Sequence, residues 1–218
     1  MTSSVDFAAV PAATRYKLLC ATIVPRPIAL VTTVDAAGVV NAAPFSFFNV
    51  FSEEPPLVVL GLQHRPDRAL KDTSRNIAET GAFVVNLVDE DLADAMNLCA
   101  ADFPPGVSEV EAAGLALEPG IGVPVPRIAE APFALECQRT AGLVFGPGRE
   151  IVIGEVLRLH ARDGLLDEGA MRIRAEAYRP VGRLFGDGYA RQGDRFEMPR
   201  RSYEDWRRQP ASEREGQG

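Results

Sequence analysis

Residues 41–49 read Asn41-Ala42-Ala43-Pro44-Phe45-Ser46-Phe47-Phe48-Asn49 and crowd three phenylalanines among side chains able to hydrogen-bond. A plain core strand needs none of that polar chemistry. Strand alternation would put Phe45, Phe47 and Asn49 on one face and Ser46 and Phe48 on the other, so neither face is purely apolar or purely polar. A mixed face suits a flat ligand whose ring wants apolar contact and whose edges want donors and acceptors. An edge strand bulged at Pro44, with its phenylalanines buried and its polar groups in water, accounts for the same residues.

Working outward, Pro25-Arg26-Pro27 forces an extended entry into Ile28–Val34, which is rich in β-branched residues and ends at the turn signal Asp35-Ala-Ala-Gly38. Val39 starts the return strand into 41–49. Glu53-Glu-Pro-Pro56 then stops the chain before a third strand at Leu57–Leu62, which reads as a three-stranded meander. Antiparallel strands with no helix between them favour a barrel or sandwich over a doubly wound sheet. The next helix has Asp72 as expected N-cap and Gly81 as C′ residue. Its first turn carries Thr73 and Ser74 beside Lys71, and free amides at the positive end of a helix dipole suit a phosphate. A capped surface helix with a solvated lysine fits the same residues.

Ala82–Val88 reads as a strand, and Asp89–Leu98 as an acidic-capped helix with Leu92, Met96 and Cys99 on one face. Residues 102–126 form a proline-rich segment with a helical piece at Ser108–Ala113, long enough to cover a cavity. Alternating runs from Phe133 and from Glu150 to His160 flank Gly146-Pro-Gly148 and read as a long hairpin. A short helix is expected at Ala13–Cys20, and the last twenty residues are charged and expected to fray.

The 218 residues, 46% hydrophobic and 24% charged, fit one globular domain over 1–218. A net charge of −7 without a basic stripe argues against nucleic acid. Cys20, Cys99 and Cys137 are widely spaced and read as buried thiols rather than disulfides or zinc ligands. No basic start followed by an apolar run, and no 18-residue apolar segment, is found, so the expectation is a cytoplasmic chain with no membrane partner. His160 reads as a surface residue, His64 as a solvated loop residue or a phosphate or nicotinamide contact, and the Asp89-Glu-Asp91 cluster as solvated caps, so no metal is expected.

Arg26-Pro-Ile-Ala29, the 41–49 stretch, Lys71-Asp-Thr73 with Asn76-Ile77, Phe83-Val-Val-Asn86, and Pro180-Val-Gly-Arg-Leu-Phe-Gly-Asp-Gly-Tyr-Ala190, in that order and spacing, resemble the flavin reductase-like, FMN-binding split-barrel family over about residues 15–200. Leu30 stands where many members carry an aromatic residue. The resemblance implies a mainly β chain with a few helices, a Greek-key split barrel, and a homodimer holding FMN, with FAD also admitted, at the subunit boundary. It implies that Thr32, Thr33 and the stretch with Asn41, Phe45, Ser46, Phe47, Phe48 and Asn49 line the isoalloxazine and ribityl chain. Arg65, Lys71, Asp72 and Thr73 then hold the phosphate. The paired glycines of Gly186-Asp-Gly188 suit either a hairpin turn or a close backbone approach in which Tyr189 caps a ring, and the Arg183–Tyr189 segment and the 102–126 loop are expected near the flavin, one of them from the partner chain. The hydride chemistry belongs to the flavin, so no acid–base triad is required and no side chain is expected to act as a catalytic group. The implied activity is reduction of flavin by NADH or NADPH, feeding a flavin-dependent oxygenase. An FMN electron carrier acting with a redox protein is the alternative, and a pyridoxamine-phosphate type oxidase fits the 41–49 stretch less well.

Overall fold

The computed structural model describes residues 2–65, 67–103, 107–146 and 148–208. Pro104 and Pro105 of the expected loop, Pro147 at the expected hairpin tip and the last ten residues of the tail lie outside the described residues. From the N-terminus come α1 (Ala12–Thr22), β1 (Ala29–Val34), β2 (Val40–Phe45), β3 (Phe48–Glu53) and β4 (Pro56–Gln63). After them lie α2 (Asp72–Thr80), β5 (Ala82–Leu87), α3 (Ala93–Leu98), α4 (Glu109–Ala112), and the short β6 (Leu117–Glu118) and β7 (Arg127–Ile128). The long hairpin β8 (Phe133–Phe145) and β9 (Arg149–Ala161) leads to the small ladders β10 (Leu166–Asp167) with β11 (Arg172–Ile173) and β12 (Val181–Arg183) with β13 (Tyr189–Arg191). The chain then ends in α5 (Tyr203–Arg208), inside the tail expected to fray.

Seven strands form one sheet in the order β2-β1-β5-β8-β9-β4-β3. The β8–β9 hairpin inserts between β5 and β4, which gives the connections their Greek-key character. β2 and β3 adjoin in sequence yet lie at opposite edges, so the expected three-stranded meander is not formed. A bend at Ser46-Phe47 carries the chain from one edge to the other, and the Phe47 carbonyl accepts from the Gly61 amide at 2.7 Å. That bond curls the sheet into the split barrel. A Cβ on Gly61 would lie 2.9 Å from the Phe47 Cβ, so this seam needs glycine there.

β1 is buried on both faces, as a central strand must be. Ala29 and Val31 join Leu60, Leu62, Phe83 and Val152 inside the barrel, while Ile28 and Leu30 join Leu92, Met96 and Val110 on the outer face under α3 and α4. Helix α2 adds Ile77 to the inner cluster and ends where expected, with Gly81 left-handed at φ 71°. Packing inside is tight: a Cβ on Gly154 would lie 2.4 Å from Phe83 Cζ. Gly154→Ala is therefore expected to destabilise the fold by about 1–3 kcal/mol, read from the urea midpoint, whereas an unchanged midpoint would mean that Phe83 has room to move.

Several polar residues read as solvated are interior. Asp89 is 2% exposed, accepts from the Leu92 amide and pairs with Arg162 at 2.7 Å, so α3 begins only at Ala93. Glu90 and Asp91 do stay at the surface, where they pair with Arg191 and Arg179. His160 is not a free surface residue: its Nε2 lies 2.5 Å from Glu136 Oε1. Glu136 is fully buried on β8, and its two oxygens accept from the amides of Ile121, Gly122 and Val123. Burial alone would raise this carboxyl, but the Ile121 amide, His160 and the Gly122 amide outweigh it and hold it below the usual carboxylate range.

Candidate functional site

Four segments meet at one end of the barrel around a cavity of about 290 Å³. The β1–β2 hairpin brings Asn41, the exit of β4 brings Arg65, α2 brings Asp72, Arg75 and Asn76, and the chain before and into α4 supplies the remaining wall. Asn41 Nδ2 donates to Thr73 Oγ1 at 3.0 Å, which ties the hairpin to the first turn of α2.

Asp72 does not cap that helix. Lys71 occupies the N-cap position, and among the described residues no side-chain cap bonds the first-turn amides. The Asp72 carboxylate instead sits between two guanidinium groups, with Arg65 Nη2 at 3.0 Å and Arg75 Nη2 at 2.5 Å. One carboxylate thus holds two arginines at the mouth of the cavity, beside the three first-turn amides that a helix leaves without an internal partner. Lys71 is exposed and is not among the lining residues, so the cationic groups facing the cavity are Arg65 and Arg75.

A second observation points the same way. Asn76 is 1% exposed and lines the cavity; its Nδ2 donates to Thr33 Oγ1 at 3.0 Å, while its Oδ1 has no partner. An unpaired buried acceptor is costly unless a ligand donor meets it. Amides and arginines suited to a phosphate, next to an acceptor suited to a hydroxyl, fit the phosphate and polyol chain of a flavin mononucleotide.

The remaining expected residues divide among other places. Thr32 and Thr33 are wholly buried and their hydroxyls are used internally: Thr32 donates to the Pro126 carbonyl at 2.7 Å and accepts from Asn86, and Thr33 accepts from Asn76. They brace the walls and present no surface to a ring. At the bend, Ser46 Oγ accepts from Arg26 Nε at 3.4 Å and Phe47 stands against Tyr16, ring centroids 6.2 Å apart. Phe45 and Phe48 are half-buried against the inner core. Asn49 is exposed, its Oδ1 accepting from the Val50 amide, and with Phe48 it borders a separate, mostly apolar cavity of about 460 Å³. Tyr189 donates to Asn97 Oδ1 at 3.2 Å under the Arg183 guanidinium, 4.5 Å from the ring centroid, and lines neither cavity. The 41–49 stretch therefore serves two cavities and the seam between them.

Arg75 carries no expectation from the sequence, and Arg26 enters there only as part of a motif, without a role of its own. Arg75 stands three residues after Asp72, a helical spacing that was there to be read. Arg26 is 7% exposed and its guanidinium gathers the Cys20, Ile23 and Leu184 carbonyls along with Ser46, tying the end of α1, the bend and the C-terminal ladder together. His64 is part-buried rather than solvated: its side chain is 8% exposed, with Nε2 4.0 Å from Glu150 Oε2.

Among the described residues no cluster of ligating side chains is placed to hold a metal ion, and no helix is long and apolar enough to cross a membrane. Comparison with known proteins adds the family. The chain is 39% identical to the 2-nitrobenzoate 2-nitroreductase NbaA of Pseudomonas fluorescens, with a TM-score of 0.85 over 92% of this chain and 98% of that one. It is 37% identical to nitrilotriacetate monooxygenase component B of Bacillus cereus, with a TM-score of 0.86 over 91% and 99%. A putative flavin reductase with a split barrel domain from Shewanella frigidimarina, 23% identical, shares the fold at a TM-score of 0.76 over 89% and 96%. Residues 21–182 match the model of the flavin reductase like domain, and with it the chain belongs to that family.

Proposed function

We propose that this protein binds FMN and reduces it with NADH or NADPH. The observation that carries the reading is the convergence of Arg65, Arg75, the open first turn of α2 and the unpartnered Asn76 Oδ1 on one cavity. Arg65 and Arg75 would hold the phosphate dianion, and Asn76 Oδ1 would accept from the ribityl chain. The ring would extend along β2, an edge strand of the sheet, toward Ser46 and Phe47. Bound there, the flavin supplies hydride acceptance from a nicotinamide. The chain's part is to hold the phosphate, orient the ring and keep one face open. Similarity to an oxygenase component supports delivery of reduced flavin to a partner oxygenase. Similarity to a nitroreductase favours a second reading, in which the flavin stays bound and passes electrons to an aromatic acceptor seated in the apolar cavity beside Phe48.

The working unit in this proposal is a homodimer. The edge strand β3 exposes Val50 and Phe51 at 67% and 68%, and the β8–β9 hairpin exposes Val144 at 67%, apolar surface of the kind that marks association. Light scattering across a dilution series, with flavin fluorescence followed in parallel, is expected to show FMN released as the dimer parts. A monomer that keeps its FMN would contradict the shared site.

A further inference from the structure

The strand that leads to Arg65 ends on a polar residue turned toward the barrel interior. His64 follows β4 directly, and strand alternation carries the inner row of Leu60 and Leu62 on to it. Its amide donates to the Gly148 carbonyl at 3.1 Å, which ties it to the start of β9. Glu150 stands opposite Leu62 across the β4–β9 ladder, so it is the diagonal neighbour of His64 on the same face. The two side chains are 8% and 10% exposed, His64 Nε2 and Glu150 Oε2 lie 4.0 Å apart, and among the described residues neither atom has a hydrogen-bond partner. Leaving two buried polar groups unpaired just beyond bonding distance is costly, so the pair gains whenever it closes. Ser74 adds a third unpartnered oxygen, 1% exposed, one helical turn before the Ile77 that packs in the inner cluster with Leu62 and Val152. This polar layer lies behind both arms of the phosphate seat: His64 precedes Arg65, and Ser74 belongs to the first turn of α2.

The other charged groups at this end of the barrel are Arg139 on β8, whose guanidinium lies against Gly142, Arg149 on β9, Lys71, Asp72 and Arg75 at the start of α2, and Arg65 itself. Cations outnumber carboxylates there, which opposes a further positive charge until an anion arrives. We propose that His64 and Glu150 are positioning residues for the phosphate seat, and that they close into a charged hydrogen bond as His64 takes up a proton from solvent when the flavin phosphate binds. The inference rests on the reading of Arg65 and Arg75 as that seat. The phosphate dianion offsets the surrounding arginines, the imidazolium donates to the Glu150 carboxylate, and both orphaned atoms gain a partner. Because His64 and Arg65 are adjacent in the chain, fixing the imidazole fixes the angle at which Arg65 enters the cavity. FMN binding is thereby coupled to proton uptake, and binding of riboflavin, which has no phosphate, is not.

Calorimetric titration of the intact protein with FMN and with riboflavin at mildly alkaline pH, in two buffers of different ionisation enthalpy, counts the protons exchanged. The phosphate itself contributes the opposite sign, because arginines favour its dianion and its second ionisation lies at about pH 6. The expected result is net proton uptake with FMN and none with riboflavin. His64→Gln should abolish the uptake and Glu150→Gln should reduce it. Both variants should also lower the preference for FMN over riboflavin by roughly fivefold or more, with no further loss when Arg65 is already alanine. Proton release, or no exchange, on FMN binding by the parent protein would overturn the proposal, and that measurement needs no variant to fold. Variants that lower the urea midpoint yet keep the parent's FMN preference and proton count would also overturn it, leaving a pair that only supports the fold. Failure of the underlying reading looks different: FMN binding would then be indifferent to loss of Arg65, whatever the proton count.

Discussion

Arg65→Ala is expected to weaken FMN binding by about 10- to 150-fold and to leave riboflavin binding unchanged. A charge-assisted hydrogen bond is worth about 1.5–3 kcal/mol, and each 1.4 kcal/mol is tenfold in affinity. Riboflavin lacks the phosphate, so the contrast between the two ligands isolates the contact from any general loosening. The structure adds a reason for a large effect at this residue: Asp72 holds Arg65 and Arg75 together, so the guanidinium is already ordered when the phosphate arrives and little side-chain entropy is lost on binding. Lys71, exposed and outside the cavity lining, is expected to matter less than either arginine. Parallel titrations with FMN and riboflavin check this, and equal weakening of both would place the phosphate elsewhere.

Glu136→Gln is expected to destabilise the fold by about 3 kcal/mol, because three amides and His160 lose a charged acceptor in a site closed to water, and the new amide sets a donor against donors. The loss should depend on pH. A carboxyl whose folded pKa lies below its unfolded value of about 4.3 contributes stability fully above that value, and the contribution fades as pH falls through the lowered folded value. Urea unfolding of parent and variant should therefore converge on acidification below the unfolded carboxyl value of about 4.3. A gap that widens on acidification would mean that the carboxylate is not held in its ionised form. The 121–123 segment is what this carboxylate fixes, and three residues on the Pro126 carbonyl accepts from Thr32, which in turn accepts from Asn86 in the sheet.

β1, the Asp35–Gly38 turn, β4, the left-handed Gly81 and the β8–β9 hairpin follow from periodicity and turn chemistry within a dozen residues, so local reading found them. Closure of the barrel was not local. Ser46-Phe47 carries no glycine, proline or asparagine, and only the Gly61 amide, fourteen residues on, reveals that the chain turns there to change edges. The motif at 71–73 marked the right helix end, but the roles within it depended on partners in space: Asp72 looked like a cap and instead joins two arginines. Thr32 and Thr33 looked like ring contacts because an alternating strand exposes one face, whereas β1 is covered on both. His160 and Glu136 are 24 residues apart, and only the hairpin register brings them together.

Anaerobic mixing of the FMN-loaded protein with NADH, and separately with NADPH, tests the central claim most directly. The account predicts that one of the two nucleotides bleaches the flavin absorbance within the mixing experiment, in proportion to enzyme, and that added free FMN continues to be reduced. Flavin that binds through Arg65 yet stays oxidised with both nucleotides would contradict it and leave an FMN protein that receives its electrons from another redox protein.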